Sequence, residues 1–431
     1  MYAVSSSVQR RLGTADATVL GLAAMLGTGV FAVWAPAAAA AGPFLLFAVL
    51  LAGIVAACNA ASTADLAVAH PESGGGYVYG RERLAPGAGR LAGVAFLVGK
   101  TSSAAAAAGV FGAYVLPSSP LPAVVLVIVA VTVLNATGVR WTARGAYALV
   151  GGTLAVLVVV VVIGLVGPEP MPVGTLASPD AEAVPTPGSG VVGVLTAAGL
   201  VFFAFAGYAR IATLGEEVRD PRRTIRRAIG LALGITLMTY LLVAAALMVG
   251  LGTDRLATEA APLVAVVDAG ETSALGVLVR AGAAVAAGSA LLSVLVGVSR
   301  TALAMARRGE LPRGLAAISA RGTPTRADIA GGLVTIGIAV LAGPIAAIAL
   351  SACSVLVYYA VINLAALRMA PAERSWPRWT SALGLVLCLG LAALLPTRQV
   401  VVTAVALAVA WTLCTLIGRG RAPARDDGAA G

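Results

Sequence analysis

The apolar residues of this chain fall into long runs, at about 16–41, 43–69, 87–115, 121–138, 145–166, 190–213, 228–250, 273–306, 328–342, 345–369, 379–395 and 399–417. A bilayer core takes about 20 apolar residues of α-helix, and the runs reach or approach that length. They lack a two-residue alternation, which excludes a closed barrel. With 59% hydrophobic and 11% charged residues, the chain has too little polar surface to cover a soluble core of this size. An ordinary soluble enzyme, a disordered chain and a secreted disulfide scaffold are excluded. The reading is an all-α polytopic membrane protein with about twelve transmembrane helices. The four cysteines lie singly in apolar runs and read as small hydrophobes rather than a disulfide framework or a zinc site.

The net charge of +10 invites a nucleic-acid reading, but its distribution gives another. Nearly all of the arginines stand in one set of alternate loops. The opposite set holds Arg255 and Arg398, while Lys100 and Arg280 fall inside spans. Basic loops stay in the cytoplasm, so both termini are expected there. The divisions follow: a cytoplasmic segment 1–15, five helices over 16–166, an extracellular loop 167–189, five helices over 190–370, two more over 371–418 and a cytoplasmic tail 419–431. No cleavable signal is expected, since the first apolar run is too long for one.

Gly27-Thr28-Gly29 interrupts the first run, and Gly207 follows the aromatic cluster Phe202, Phe203 and Phe205 in the sixth. Glycine in a membrane helix can serve close packing. Interruptions at matching places in two halves also mark an inverted-repeat transporter, with its site at the broken helices. Amides freed at such a break attract a carboxylate and freed carbonyls attract an ammonium. Together they suit the common part of an amino acid.

Several segments resemble the amino acid–polyamine–organocation superfamily of permeases. They are GTGVF at 27–31, HPESGGGYVYGRERLAPGAGRLAG at 70–93, FFAFAGYARIATLGEEVRDPRRTIRRAI at 202–229, SRTALAMARRGELPRGLAAIS at 299–319 and LVYYAVINLAALRM at 356–369. The resemblance implies a five-plus-five inverted repeat with discontinuous helices 1 and 6, two extra helices and alternating access. Carried over, it gives the amides of Gly27, Thr28 and Gly29 the substrate carboxylate, and the carbonyls around Phe203, Ala204 and Phe205 the ammonium. Phe203 becomes the aromatic lid, while Ala206 and Val294 touch the side chain. The aromatics can equally face lipid or neighbouring helices.

Lys100, in the third run, is costly at membrane depth and a functional candidate for that reason; snorkelling to the headgroups is the alternative. Proton-coupled relatives keep a lysine in helix 5, where this chain has Thr153, so Lys100 would have to supply that charge. Ser289 and Ser293 offer hydroxyls to a cation site. Arg210, Glu216 and Glu217 are expected in a cytoplasmic gate, with a solvated charge run as the alternative. The stretches of the site helices expected to face the cavity show no acid, Asp16 and Asp65 lying near cytoplasmic helix ends, which favours a neutral amino acid substrate; proton coupling is the accompanying expectation. Exchange with an amino acid or polyamine, a cationic or acidic amino acid, and a sensor on a transporter fold stay open. With one histidine and no nucleophile–base set, no catalysis, metal or cofactor is expected. No nucleic-acid partner is expected either; the partners are the substrate, a proton and the bilayer.

Overall fold

The computed structural model describes residues 12–70, 74–138, 143–167, 190–212, 218, 220–269 and 273–419. Among them the chain is all-helical, apart from one parallel bridge between Leu12 and Val218. It opens with α1 (Thr14–Met25), α2 (Gly29–Ala32) and α3 (Trp34–Ala41), then α4 (Leu45–Ala69), α5 (Gly76–Arg83), α6 (Pro86–Val115), α7 (Pro120–Ala136) and α8 (Ala143–Val166). The second half runs through α9 (Val191–Phe205), α10 (Ala209–Ala212), α11 (Pro221–Leu251), α12 (Thr253–Thr258), α13 (Pro262–Ala269) and α14 (Ser273–Arg307). It ends with α15 (Thr325–Leu367), α16 (Arg378–Leu394) and α17 (Thr397–Arg419). The loop expected over 167–189 lies, past Gly167, outside the described residues.

Nine helical stretches of the described residues are long and apolar enough to cross a membrane, and α7 and α16 are shorter apolar helices. The longest helix, α15, is two in one. Gly343 leaves helical geometry at φ 73°, ψ 172°, with Pro344 next. Proline removes the amide that the helix would use and clashes with the preceding turn, and only glycine takes that positive φ without strain. The break falls between the runs at 328–342 and 345–369.

Small residues set the packing. On α6, Gly99 faces Ser354 and Val355, and Gly109 faces Pro344; a Cβ on either would approach within 2.8 Å or 2.7 Å of α15. In lipid there is no water to expel between helices, so contact area and close approach carry association. A buried polar cluster also joins α4, α15 and α16. The Asn363 amide donates to Asn59 Oδ1 at 2.6 Å, and Ser62 Oγ lies 2.7 Å from Asn363 Oδ1 and 2.9 Å from Ser381 Oγ. Cys388 donates to Asn59 Oδ1 at 3.3 Å, so it is a member of this cluster as well as a buried hydrophobe.

At the arginine-rich end, α5 clasps two loops. Arg81 pairs with Glu310 at 2.8 Å, and Arg90 reaches the same oxygen at 3.4 Å. Arg83 holds Glu373 through both nitrogens, at 2.9 and 2.7 Å, and donates to His70 Nε2 at 2.7 Å. The Arg83 hydrogen bonds pull the Glu373 carboxyl down to about 2 from its ordinary 4.5. A carboxylate depressed in the folded state stabilises above its unfolded pKa and loses that contribution as pH falls through its folded one. The contribution of the Arg83–Glu373 pair is therefore nearly complete above about pH 4.5 and fades towards pH 2.

Glu310 is 5% exposed and Arg81 31% exposed at the side chain. The Glu310→Gln variant should therefore lose about 2 kcal/mol, below the 3–5 of a fully buried pair because Arg81 keeps part of its water. Thermal unfolding of the purified protein in detergent measures this; an unchanged midpoint would show that the clamp carries no stability.

Candidate functional site

Two interrupted helices cross at the centre of the bundle. α1 stops at Met25, and Leu26, Gly27 and Thr28 lead out of helix into α2. α9 stops at Phe205 and continues as a tight 3-10 turn over Ala206–Tyr208 before α10. The crossing is main chain against main chain. A Cβ on Gly29 would sit 2.5 Å from Ala204 Cα, and one on Gly207 would sit 2.5 Å from the Ala24 carbonyl. No side chain fits at either position, so these glycines are there for approach as well as for the breaks.

A carbonyl freed inside a membrane protein must find a donor or line a cavity. One donor comes from α11. The buried Tyr240 hydroxyl lies 2.6 Å from the Met25 carbonyl and 3.1 Å from that of Ala204. It has one proton to give, which the last residue of α1 and the last turn of α9 share. The ring is wedged edge-on against Phe205, with centroids 4.9 Å apart, and against Trp34 at 5.8 Å. Trp34 itself donates to the Val30 carbonyl at 2.5 Å.

Gly27, Thr28 and Gly29 are all buried at the crossing. The Thr28 hydroxyl is buried and has no hydrogen-bond partner among the described residues. Among the further buried hydroxyls without a partner there are Ser102 on α6 and Ser351 on α15. The pairing of Gly99 with Ser354 and of Gly109 with Pro344 sets these helices antiparallel. Ser102 and Ser351 therefore stand at one level. Buried polar groups are nearly always paired, so such hydroxyls mark places for water or a polar ligand.

The aromatic cluster divides. Phe202 packs edge-on against Tyr359, and Phe205 against Tyr240; both are wall residues. Phe203, 8% exposed, has no ring partner among the described residues. Two of the carbonyls assigned to an ammonium already have protein donors: that of Phe203 takes the Ala206 amide, and that of Ala204 faces Tyr240. Ala206 is buried in the 3-10 turn.

On α14 the face turned to the break is marked by Ala290. Gly27 looks at Ala290 and the Ala286 carbonyl, and Gly297 looks at Phe96 of α6. At 3.6 residues per turn, Ser293 lies on that same face between them, and it is exposed. Val294, a full turn from Ala290, lies beside that face and packs with the cluster of Ala104, Val127 and Leu291. Ser289 is buried and donates to Ala286 within its own helix.

Lys100 projects from α6 over the ring of Phe96, 5.9 Å from its centroid. Phe96 packs on Tyr358 at 5.4 Å. Lys100 is partly exposed, and it makes no ion pair or hydrogen bond among the described residues. Thr153 is buried in α8. Arg210 is exposed on α10, and Glu216 and Glu217 lie outside the described residues. The clamp of Arg81, Arg83, Glu310 and Glu373 escaped the sequence reading, as did Tyr240. Their signals were present: acids facing arginine-rich loops, and a single tyrosine in an otherwise aliphatic stretch of helix.

An apolar helical bundle built around two crossing broken helices has the form of a multi-pass membrane transporter. The amino acid permease family model matches residues 16–424, and the chain belongs to that family. It is 47% identical over 411 residues to an uncharacterized transporter of Mycobacterium tuberculosis, with 94% of this chain and 91% of the relative covered. It is 26% identical to a methylthioribose transporter of Bacillus subtilis over 360 residues, covering 78% and 76% of the two chains. To a branched-chain amino acid permease of the same organism it is 26% identical over 345 residues, covering 72% and 70%.

Two variants test the crossing. Tyr240→Phe should cost about 1 kcal/mol, between the ~0.6 typical of interhelical bonds in bilayers and the ~1–3 of an orphaned buried group. Its unfolding midpoint against wild type measures this. Gly29→Val should insert normally yet lose about a hundredfold in transport, the scale of a misplacement of ~1 Å in a positioned site. Normal flux through it would show that the crossing can open without consequence.

Proposed function

We propose that this chain is a secondary active transporter that carries neutral amino acids across the cytoplasmic membrane by alternating access, coupled to protons. In this reading it has twelve spans, a five-plus-five inverted repeat with two added helices, and both termini in the cytoplasm. α15 counts as two spans, split at Gly343. The observation that carries the reading is the crossing at Gly29–Ala204 and Gly207–Ala24, where main-chain polar groups leave their helices beside the unpartnered Thr28 hydroxyl. The amides of Gly27, Thr28 and Gly29 hold the substrate carboxylate. The remaining carbonyl capacity of Phe203, Ala204 and Phe205 takes the ammonium, and Phe203 closes over the substrate. Ala290, Ser293 and Val294 are the α14 contribution. The clamp of α5 on Glu310 and Glu373 serves as the cytoplasmic gate, beside Arg210, Glu216 and Glu217.

Lys100 argues for a substrate without positive charge. An ammonium on the inner face of α6, with no carboxylate paired to it among the described residues, repels a cationic side chain. A desolvated lysine also changes its proton affinity readily, which suits a coupling role that the helix 5 position, Thr153, cannot fill.

Uptake of a panel of labelled amino acids into proteoliposomes, with and without an inward proton gradient, tests the reading. Leucine, alanine, glutamate and arginine are included, together with methylthioribose. Gradient-stimulated uptake of leucine or alanine is expected. Uptake of arginine alone, or of methylthioribose alone, would overturn the substrate class, and uptake only into amino acid-loaded vesicles would replace symport by exchange. Lys100→Ala should flatten the pH dependence of uptake. A profile that keeps the wild-type shape would return Lys100 to a snorkelling role.

A further inference from the structure

A cavity of about 270 Å³ lies between α4 and α11, away from Gly27 and Thr28. One wall is glycine and alanine from Gly53 to Ala64 on α4. The other carries Arg226, Gly230, Gly234 and Leu237 on α11, all on one helical face. Ala57, Gly230 and Gly234 are exposed, so the cavity opens sideways, to lipid. A Cβ at Gly230 or Gly234 would meet nothing within 4 Å; the glycines leave the groove empty. From Arg226 to Leu237 is about 16 Å of helix, and Leu237 closes the far end against Gly53.

The mouth has a different chemistry. Arg226 and Trp376 border it, and Arg222, Arg223 and Arg227 are exposed on the neighbouring turn. Tryptophan favours the headgroup level, and basic clusters at that level attract anionic lipid. An apolar slot under a cationic, tryptophan-edged mouth matches an acyl chain under an anionic headgroup. We propose that the cavity between α4 and α11 holds one acyl chain of an anionic phospholipid, with its headgroup at Arg226. The inner wall is Phe205, the ring that packs on Tyr240 at 4.9 Å. A bound chain therefore backs the contact that positions the Tyr240 hydroxyl at the two breaks.

The test is lipid binding to the full-length protein in detergent by native mass spectrometry, which needs no transport substrate. The probes are dioleoyl phosphatidylglycerol and dioleoyl phosphatidylcholine. Phosphatidylglycerol should bind in preference. Arg226→Gln should weaken it about fivefold, the scale of one basic residue at a membrane surface, while Arg255→Gln leaves it unchanged. Gly230→Leu fills the slot and improves helix propensity, so it should fold and reduce binding of both lipids. Equal binding of the two lipids, equal losses in Arg226→Gln and Arg255→Gln, or unchanged binding in Gly230→Leu would overturn the proposal.

Discussion

A bilayer gives no water to a main chain that leaves its helix, and this protein breaks two helices at its centre. Everything around the crossing answers that constraint. Gly29 and Gly207 bring the two backbones into contact, and Tyr240 reaches in from α11 with one hydroxyl for two carbonyls. Phe205 and Trp34 fix the ring edge-on, and an edge-to-face pair is worth about 0.5–1.5 kcal/mol beyond its burial. What stays unmet, above all the Thr28 hydroxyl, is what a ligand can use.

The rest of the bundle holds the crossing at two levels. Deep in the membrane, small residues let α6 lie against α15, and the cluster of Asn59, Ser62, Asn363 and Ser381 ties α4 to α15 and α16. Hydrogen bonds of this kind give each helix one register against its neighbour, because a shifted pair would leave amides unpaired in a medium that cannot replace them. At the arginine-rich end the fastening is ionic and partly wet. Arg81 and Arg83 project from the short helix α5 to the buried Glu310 and the half-exposed Glu373, and water can replace the second of these contacts at modest cost.

Some of this was legible in the residues. Runs of apolar residues give helices, arginine loops divide the two faces, and Gly27, Gly29 and Gly207 mark where helices stop. Sequence periodicity also places Ala290, Ser293 and Gly297 on one face of α14, but it does not say which way that face looks. The structure supplies that direction, because Ala290 meets Gly27 while Val294, a turn further on, packs with Ala104 and Leu291. Arg210, Glu216 and Glu217 are legible as a dense charge run, while the ion pairs of the clamp use Glu310 and Glu373, acids that stand alone in their loops.

The sequence by itself determined the solvent, the helices and the places where they break, because these follow from local apolar length, charge placement and the backbone preferences of glycine and proline. Only the tertiary structure decided which groups meet. Tyr240 finds Met25 across 215 positions, and Ser62 finds Asn363 across 301. Such contacts depend on the rotation and register of packed helices, which are set by the sum of many small-residue contacts and by no single local signal.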